Sequence, residues 1–136
     1  LPLIAEIATE WVRQLWYADD SAGAGKVPQI RKWFDRLADS GPKYGYHINL
    51  KKTFAIVKPG AETAFRQAFA DLLDKEKGGL QVVITNPSAP AESDSLGKEL
   101  GKRYLGAAVG GATFRERYVA EKVNDWVSDV LRLSLF

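Results

Sequence analysis

The 136 residues predict an α+β fold, a small and mainly antiparallel sheet packed by about three helices within a single domain. Three observations predict it. Runs of strand length rich in aromatic and branched side chains stand at 11–18, 53–58 and 80–85. Apolar residues recur with helical spacing at 28–40, at 61–75 and from Phe114 onward. Glycine and proline clusters punctuate the intervals between them.

The first run, WVRQLWYA, alternates loosely and predicts a strand ending at Asp19, and the small residues of SAGAG at 21–25 predict a tight hairpin turn after it. Pro28 is a favoured opening residue, and Ile30, Trp33, Phe34 and Leu37 then share one face of a helix that Gly41-Pro42 ends. TFAIVK at 53–58 predicts a second strand. Ala61 to Lys75 predicts a second helix that buries Phe65, Ala68, Phe69, Leu72 and Leu73. LQVVIT at 80–85 predicts a third strand. The stretch at about 86–101 is so rich in Pro, Ser, Gly and charge that a flexible loop is expected. RYLGAAVG at 103–110 predicts a short strand with a turn, and Val119, Val123, Trp126, Val127, Val130 and Leu131 mark a terminal helix.

Composition excludes whole classes of chemistry. There is no cysteine and one histidine, so disulfides, thiolate zinc sites, cysteine nucleophiles and an HExxH pair are ruled out, and any metal must be held by oxygen. No apolar stretch approaches the ~20 residues that span a bilayer, and no secretion signal is visible, so an intracellular protein without a membrane partner is expected. With no methionine, Leu1 is not an initiator, and further sequence upstream is expected. The net charge of +2 is unevenly spread: residues 26–58 carry eight Lys or Arg against two aspartates, a local +6 that fits either attraction to phosphate or an ordinary solvated face.

Familiar nucleotide motifs fail on inspection. GAGKV lacks the first glycine of a P-loop, whose place Asp20 takes, and Val27 replaces the metal-binding hydroxyl. GAGKVP has Pro28 where GxGxxG needs its third glycine. No GxSxG elbow accompanies His47. The pair Asp19-Asp20 remains: adjacent carboxylates repel, and a fold that gathers them leaves them in water or neutralises them with a cation.

WYADD at 16–20 resembles the YxDD box of reverse transcriptases, and the order of the downstream segments extends the likeness: KWFDRLADSGPKYGY at 32–46, NLKKTFAIVK at 49–58 and RYLGAAVG at 103–110. The run is similar to retrotransposon-type RNA-directed DNA polymerases over roughly residues 9–130. The resemblance implies a partial polymerase palm. It implies Asp19 and Asp20 as catalytic ligands of two Mg²⁺ (or Mn²⁺) ions, and Lys52 at the family's palm lysine. It also implies a primer-grip region beginning at Tyr104-Leu105-Gly106, with Tyr17, Lys26, Lys51 and Lys52 beside an RNA or DNA template-primer and its dNTPs. Two metals in such a site would stand ~3.5–4 Å apart, one on the primer hydroxyl and one on the triphosphate. Magnesium's preference for hard oxygen donors fits a cysteine-free chain.

The same resemblance exposes gaps. Residues 1–18 hold no aspartate, only Glu6 and Glu10, where the family needs a further carboxylate upstream. The expectation is therefore the C-terminal part of a palm, inactive until joined to its upstream half. The alternative is a palm remnant that binds nucleic acid or assembles with partners without catalysis.

Overall fold

The computed structural model describes residues 2–74, 76–85 and 101–135, so the loop expected at about 86–101 lies almost wholly outside the described residues. The elements run α1 (Pro2–Ile7), β1 (Arg13–Tyr17), β2 (Asp20–Ala24), α2 (Val27–Ser40), β3 (Phe54–Val57), α3 (Glu62–Ala68), β4 (Gln81–Ile84), β5 (Gly101–Tyr104), β6 (Ala107–Gly110) and α4 (Ala112–Leu133). The class is α+β as expected, with the strands distributed over three two-stranded pairs. β1–β2 and β5–β6 are antiparallel hairpins. β3 pairs with β4, and the bonds from Gln81 N–H to Thr53 O and from Thr85 N–H to Val57 O advance together, so these two run parallel. No helix among the described residues is long and apolar enough to cross a membrane.

The chain divides into two compact units. The first comprises Leu1–Thr53 with Ala61–Gln81, and the second Phe54–Gly60 with Val82–Phe136. In the first, α2 forms where the helical spacing and Pro28 place it, and it ends at Gly41, whose N–H reaches Leu37 O. Its buried face of Trp33, Phe34 and Leu37 meets α1, which contributes Leu3 and Ile7, and α3. Phe69 is the focus of this core: its ring stacks on Phe65 at 4.4 Å and takes the edge of Phe34 at 5.9 Å. The Arg31 guanidinium covers it at 5.3 Å while gripping both oxygens of Asp71 at 2.6 and 3.0 Å.

Two expectations need correction. The second helix does not run to Lys75. It ends at Ala68, and Phe69 leaves helical geometry before a single 3₁₀ turn at Ala70–Leu72. The carbonyls of Leu72 and Asp74 are claimed by the N–H groups of Leu80 and Gly79, so the chain is already turning back where the apolar spacing continued. The turn of the first hairpin is not SAGAG either. Ser21–Ala24 belong to the return strand, and the turn is Ala18-Asp19.

Gly23 is small for a reason of packing: a Cβ there would stand 2.9 Å from the Trp33 ring. Gly23→Ala is expected to destabilise the fold by about 1–3 kcal/mol, because the indole sits in a filled core and cannot retreat cheaply. A urea titration checks it, and an unshifted midpoint would place Trp33 on a surface free to move.

In the second unit, Val57, Val83 and Thr85 are buried, and Phe54 meets Tyr104 edge to face at 6.5 Å. β5 and β6 close around Leu105-Gly106, with φ of 49° and 79°, the pair of positive angles that a type I′ turn requires. α4 packs on β6 through its first turns, where Tyr118 donates its hydroxyl to Gly106 O at 2.7 Å. No residue of its remaining length is buried.

Candidate metal-binding hairpin

The β1–β2 register pairs Arg13 with Ala24, Gln14 with Gly23, Leu15 with Ala22, Trp16 with Ser21 and Tyr17 with Asp20. Strand alternation therefore sorts the hairpin into two faces. Gln14, Trp16, Ser21 and Gly23 face inward. There the Trp16 indole N–H donates to Gln14 Oε1 at 3.1 Å and its ring meets Tyr46 edge to face at 5.4 Å. The Ser21 and Tyr46 hydroxyls share a hydrogen bond of 2.7 Å. Arg13, Leu15, Tyr17 and Asp20 face outward, with Leu15 56% and Tyr17 67% exposed. One face is anchored and the other is open.

The two-residue turn puts Asp19 at the tip and makes Asp20 the first residue of the return strand, beside Tyr17. Both side chains are exposed, and neither makes a hydrogen bond or ion pair among the described residues. The carboxylates are thus uncommitted oxygen donors on successive residues, a fit for part of the coordination sphere of a hard divalent cation that keeps waters. They are not a complete set, since the described residues contain no group of three His, Cys, Asp or Glu able to hold a metal. The short turn is bought with backbone strain: Ala18 has a φ of 52°, a region that a side chain makes costly. Ala18→Gly is expected to stabilise the hairpin by about 0.5–1 kcal/mol. A higher melting temperature checks this, and a lower one would mean the alanine methyl has a packing role.

The other expected residues are spread more widely. Lys26 is exposed immediately before α2. Lys51 and Lys52 end a 3₁₀ turn at Leu50–Lys52 that leads to β3, and both are exposed. The methylene stem of Lys51 covers Gly78, and its carbonyl accepts from Gln81 Nε2 at 2.9 Å, so part of this lysine is structural. Lys52 makes no hydrogen bond or ion pair with either aspartate. Tyr104, Leu105 and Gly106 belong to the second unit, with Leu105 and Gly106 forming its hairpin turn. The structure accordingly gathers Tyr17, Asp19 and Asp20 on one hairpin and places the lysines elsewhere in the same unit.

Glu6, one of two upstream acids, is already engaged. It accepts from Tyr44 Oη at 2.6 Å and Ser40 Oγ at 2.7 Å, with Lys43 Nζ at 3.5 Å. These donors, Tyr44 foremost, hold its carboxyl below the usual carboxylate value, and the same bond pushes the Tyr44 phenol up. The cluster ties α1 to the end of α2 and is structural. Sequence reading passed over Arg13 and Leu15. Their signal was available in the alternation, which puts both on Tyr17's face of β1.

No family model, curated protein or solved structure matches this chain.

Proposed function

We propose that this chain is part of an RNA-directed DNA polymerase, a palm segment whose YADD hairpin supplies two carboxylates to a two-metal nucleotidyl-transfer site. The observation that carries the reading is the hairpin: a two-residue turn with Asp19 at its exposed tip and Asp20 beside it, neither paired among the described residues, on a strand pair whose inner face is fixed by Trp16, Ser21 and Tyr46. Mg²⁺ or Mn²⁺, when bound, would supply activation of the primer hydroxyl and charge stabilisation of the triphosphate. The chain's own part is to hold Asp19 and Asp20 on a stiff strand pair and to present Tyr17 and the cationic residues 26–58 to template-primer. The order of segments after the hairpin, NLKKTFAIVK and then RYLGAAVG, supports the same family.

On this reading the remaining carboxylate and the nucleotide-selecting elements come from residues outside these 136. The test is primer extension. The chain alone is expected to extend nothing, and the chain joined to an upstream half bearing a palm aspartate is expected to synthesise DNA on an RNA template with Mg²⁺ or Mn²⁺. Extension by the chain alone, or none by the joined protein when it folds and binds template-primer, would overturn the proposal. The small donor set of the described residues favours one second reading, a non-catalytic palm remnant that binds nucleic acid. It predicts template-primer binding without synthesis in the same joined protein.

A further inference from the structure

α4 is a 22-residue helix whose apolar stripe is uncovered. Trp126 is 64% exposed, Val130 64% and Leu133 72%, with Val119, Val123 and Val127 also exposed. Two shallow depressions of about 530 and 280 Å³ run along this face, lined among the described residues by α4 side chains. These exposed side chains form a contiguous apolar stripe along the helix, and such patches mark interaction surfaces.

The spacing says what kind of surface covers it. Val119, Trp126 and Leu133 recur every seven residues, and Val123 and Val130 fall four residues after the first two of them, which is the a/d seam of a coiled coil. The flank on one side of that seam is Arg115, Lys122 and Asp129, and the flank on the other is Ala120, Val127 and Ser134. α4 carries four basic and four acidic residues, so it has no net charge to favour a polyanion or an anionic lipid surface.

Charge and size then choose between two arrangements of a self-pair. In a parallel pair, Glu116 would face Glu116 of the second copy at the seam and Trp126 would face Trp126, while Lys122 would lie against Val127. In an antiparallel pair, Val119 meets Val130, Val123 meets Trp126, Ala120 meets Val127, and Lys122 meets Asp129, each twice by symmetry. Lys122 finds Asp129 only in the second arrangement, where Glu116 meets Leu133 instead of a second Glu116, and the helix dipoles are also opposed favourably.

We propose that α4 docks antiparallel on α4 of a second copy of this chain, making a twofold dimer. Sedimentation equilibrium of the chain is expected to show a dimer dissociating at about micromolar concentration. Val123→Glu with Val130→Glu is expected to weaken it at least ~100-fold at unchanged helix content, since both positions are exposed and glutamate is a good helix former. Lys122→Glu alone, which sets two carboxylates against each other at both ends, is expected to cost about 10-fold. Adding Asp129→Lys restores the pair to within about threefold. A chain that stays monomeric up to about 100 μM, or a dimer that survives the double glutamate variant, would refute the proposal. A dimer that the charge reversal fails to rescue would refute its antiparallel geometry.

Discussion

Asp19→Asn, introduced into the chain joined to its upstream half, is expected to lower primer extension by at least ~10²–10³-fold and leave the unfolding midpoint nearly unchanged. The two halves of that expectation have separate causes. The amide keeps the shape of the carboxylate but withdraws the charge and one hard oxygen donor, and a divalent ion with few protein ligands tolerates neither loss. Asp19 lies exposed at the tip of a two-residue turn and makes no ion pair among the described residues, so the described fold loses nothing there. Removing one of two adjacent like charges acts, if anything, in favour of stability. The measurement is a single-turnover extension assay beside a denaturation curve. Extension at the parent rate would return the aspartates to an ordinary solvated turn, and a large drop in stability would mean that Asp19 has a structural partner.

Phe69→Ala is expected to destabilise the first unit by about 3–5 kcal/mol, a large share of the ~5–15 kcal/mol that holds a domain together. Phe69 is 1% exposed, and its ring is enclosed by Phe65, Phe34 and the Arg31 guanidinium. Truncation leaves a void walled by two rings and a cation rather than by side chains able to slide inward. The neighbouring ion pair is the foil for this estimate. Arg31 grips Asp71 in two-point fashion, and Asp71 and Asp35 together hold the guanidinium further above its already high value. Yet Asp71 is largely exposed, and pairs of that kind are worth about 0–1 kcal/mol. Asp71→Asn should therefore barely register beside Phe69→Ala. Equal effects in thermal or chemical denaturation would show that the electrostatic clamp, not the aromatic cluster, dominates this core.

What could be read from the sequence depended on how local its cause was. α2 was legible because Trp33, Phe34 and Leu37 repeat with one period between Pro28 and Gly41, and a helix needs little else. The hairpin was legible as a hairpin, but its turn was misplaced. Gly23 and Gly25 looked like turn residues, whereas Ala18 carries the positive φ and an alanine gives no compositional warning of it. The true cause of Gly23 lies ten residues away in the indole of Trp33, a contact no local pattern encodes. α3 was overextended because Leu72 and Leu73 keep the helical spacing while Leu80 and Gly79 draw the chain back. α1 was missed because six residues make too short a periodic signal. At the candidate site the adjacency of Asp19 and Asp20 is in the sequence itself, but their exposure at the tip and start of the return strand, and the structural use of the Lys51 stem against Gly78, were not legible there.

The seating of α4 has a consequence for how the molecule opens. Its hold on the β5–β6 hairpin is concentrated in the first two turns, through Tyr118 and Gly106 O, and among the described residues no side chain of the turns beyond is buried. A helical segment of that length without tertiary support is marginal in water. In a lone chain its last turns form a separate local-unfolding unit, fraying and re-forming many times for each global unfolding event. A surface laid along the stripe would slow that fraying.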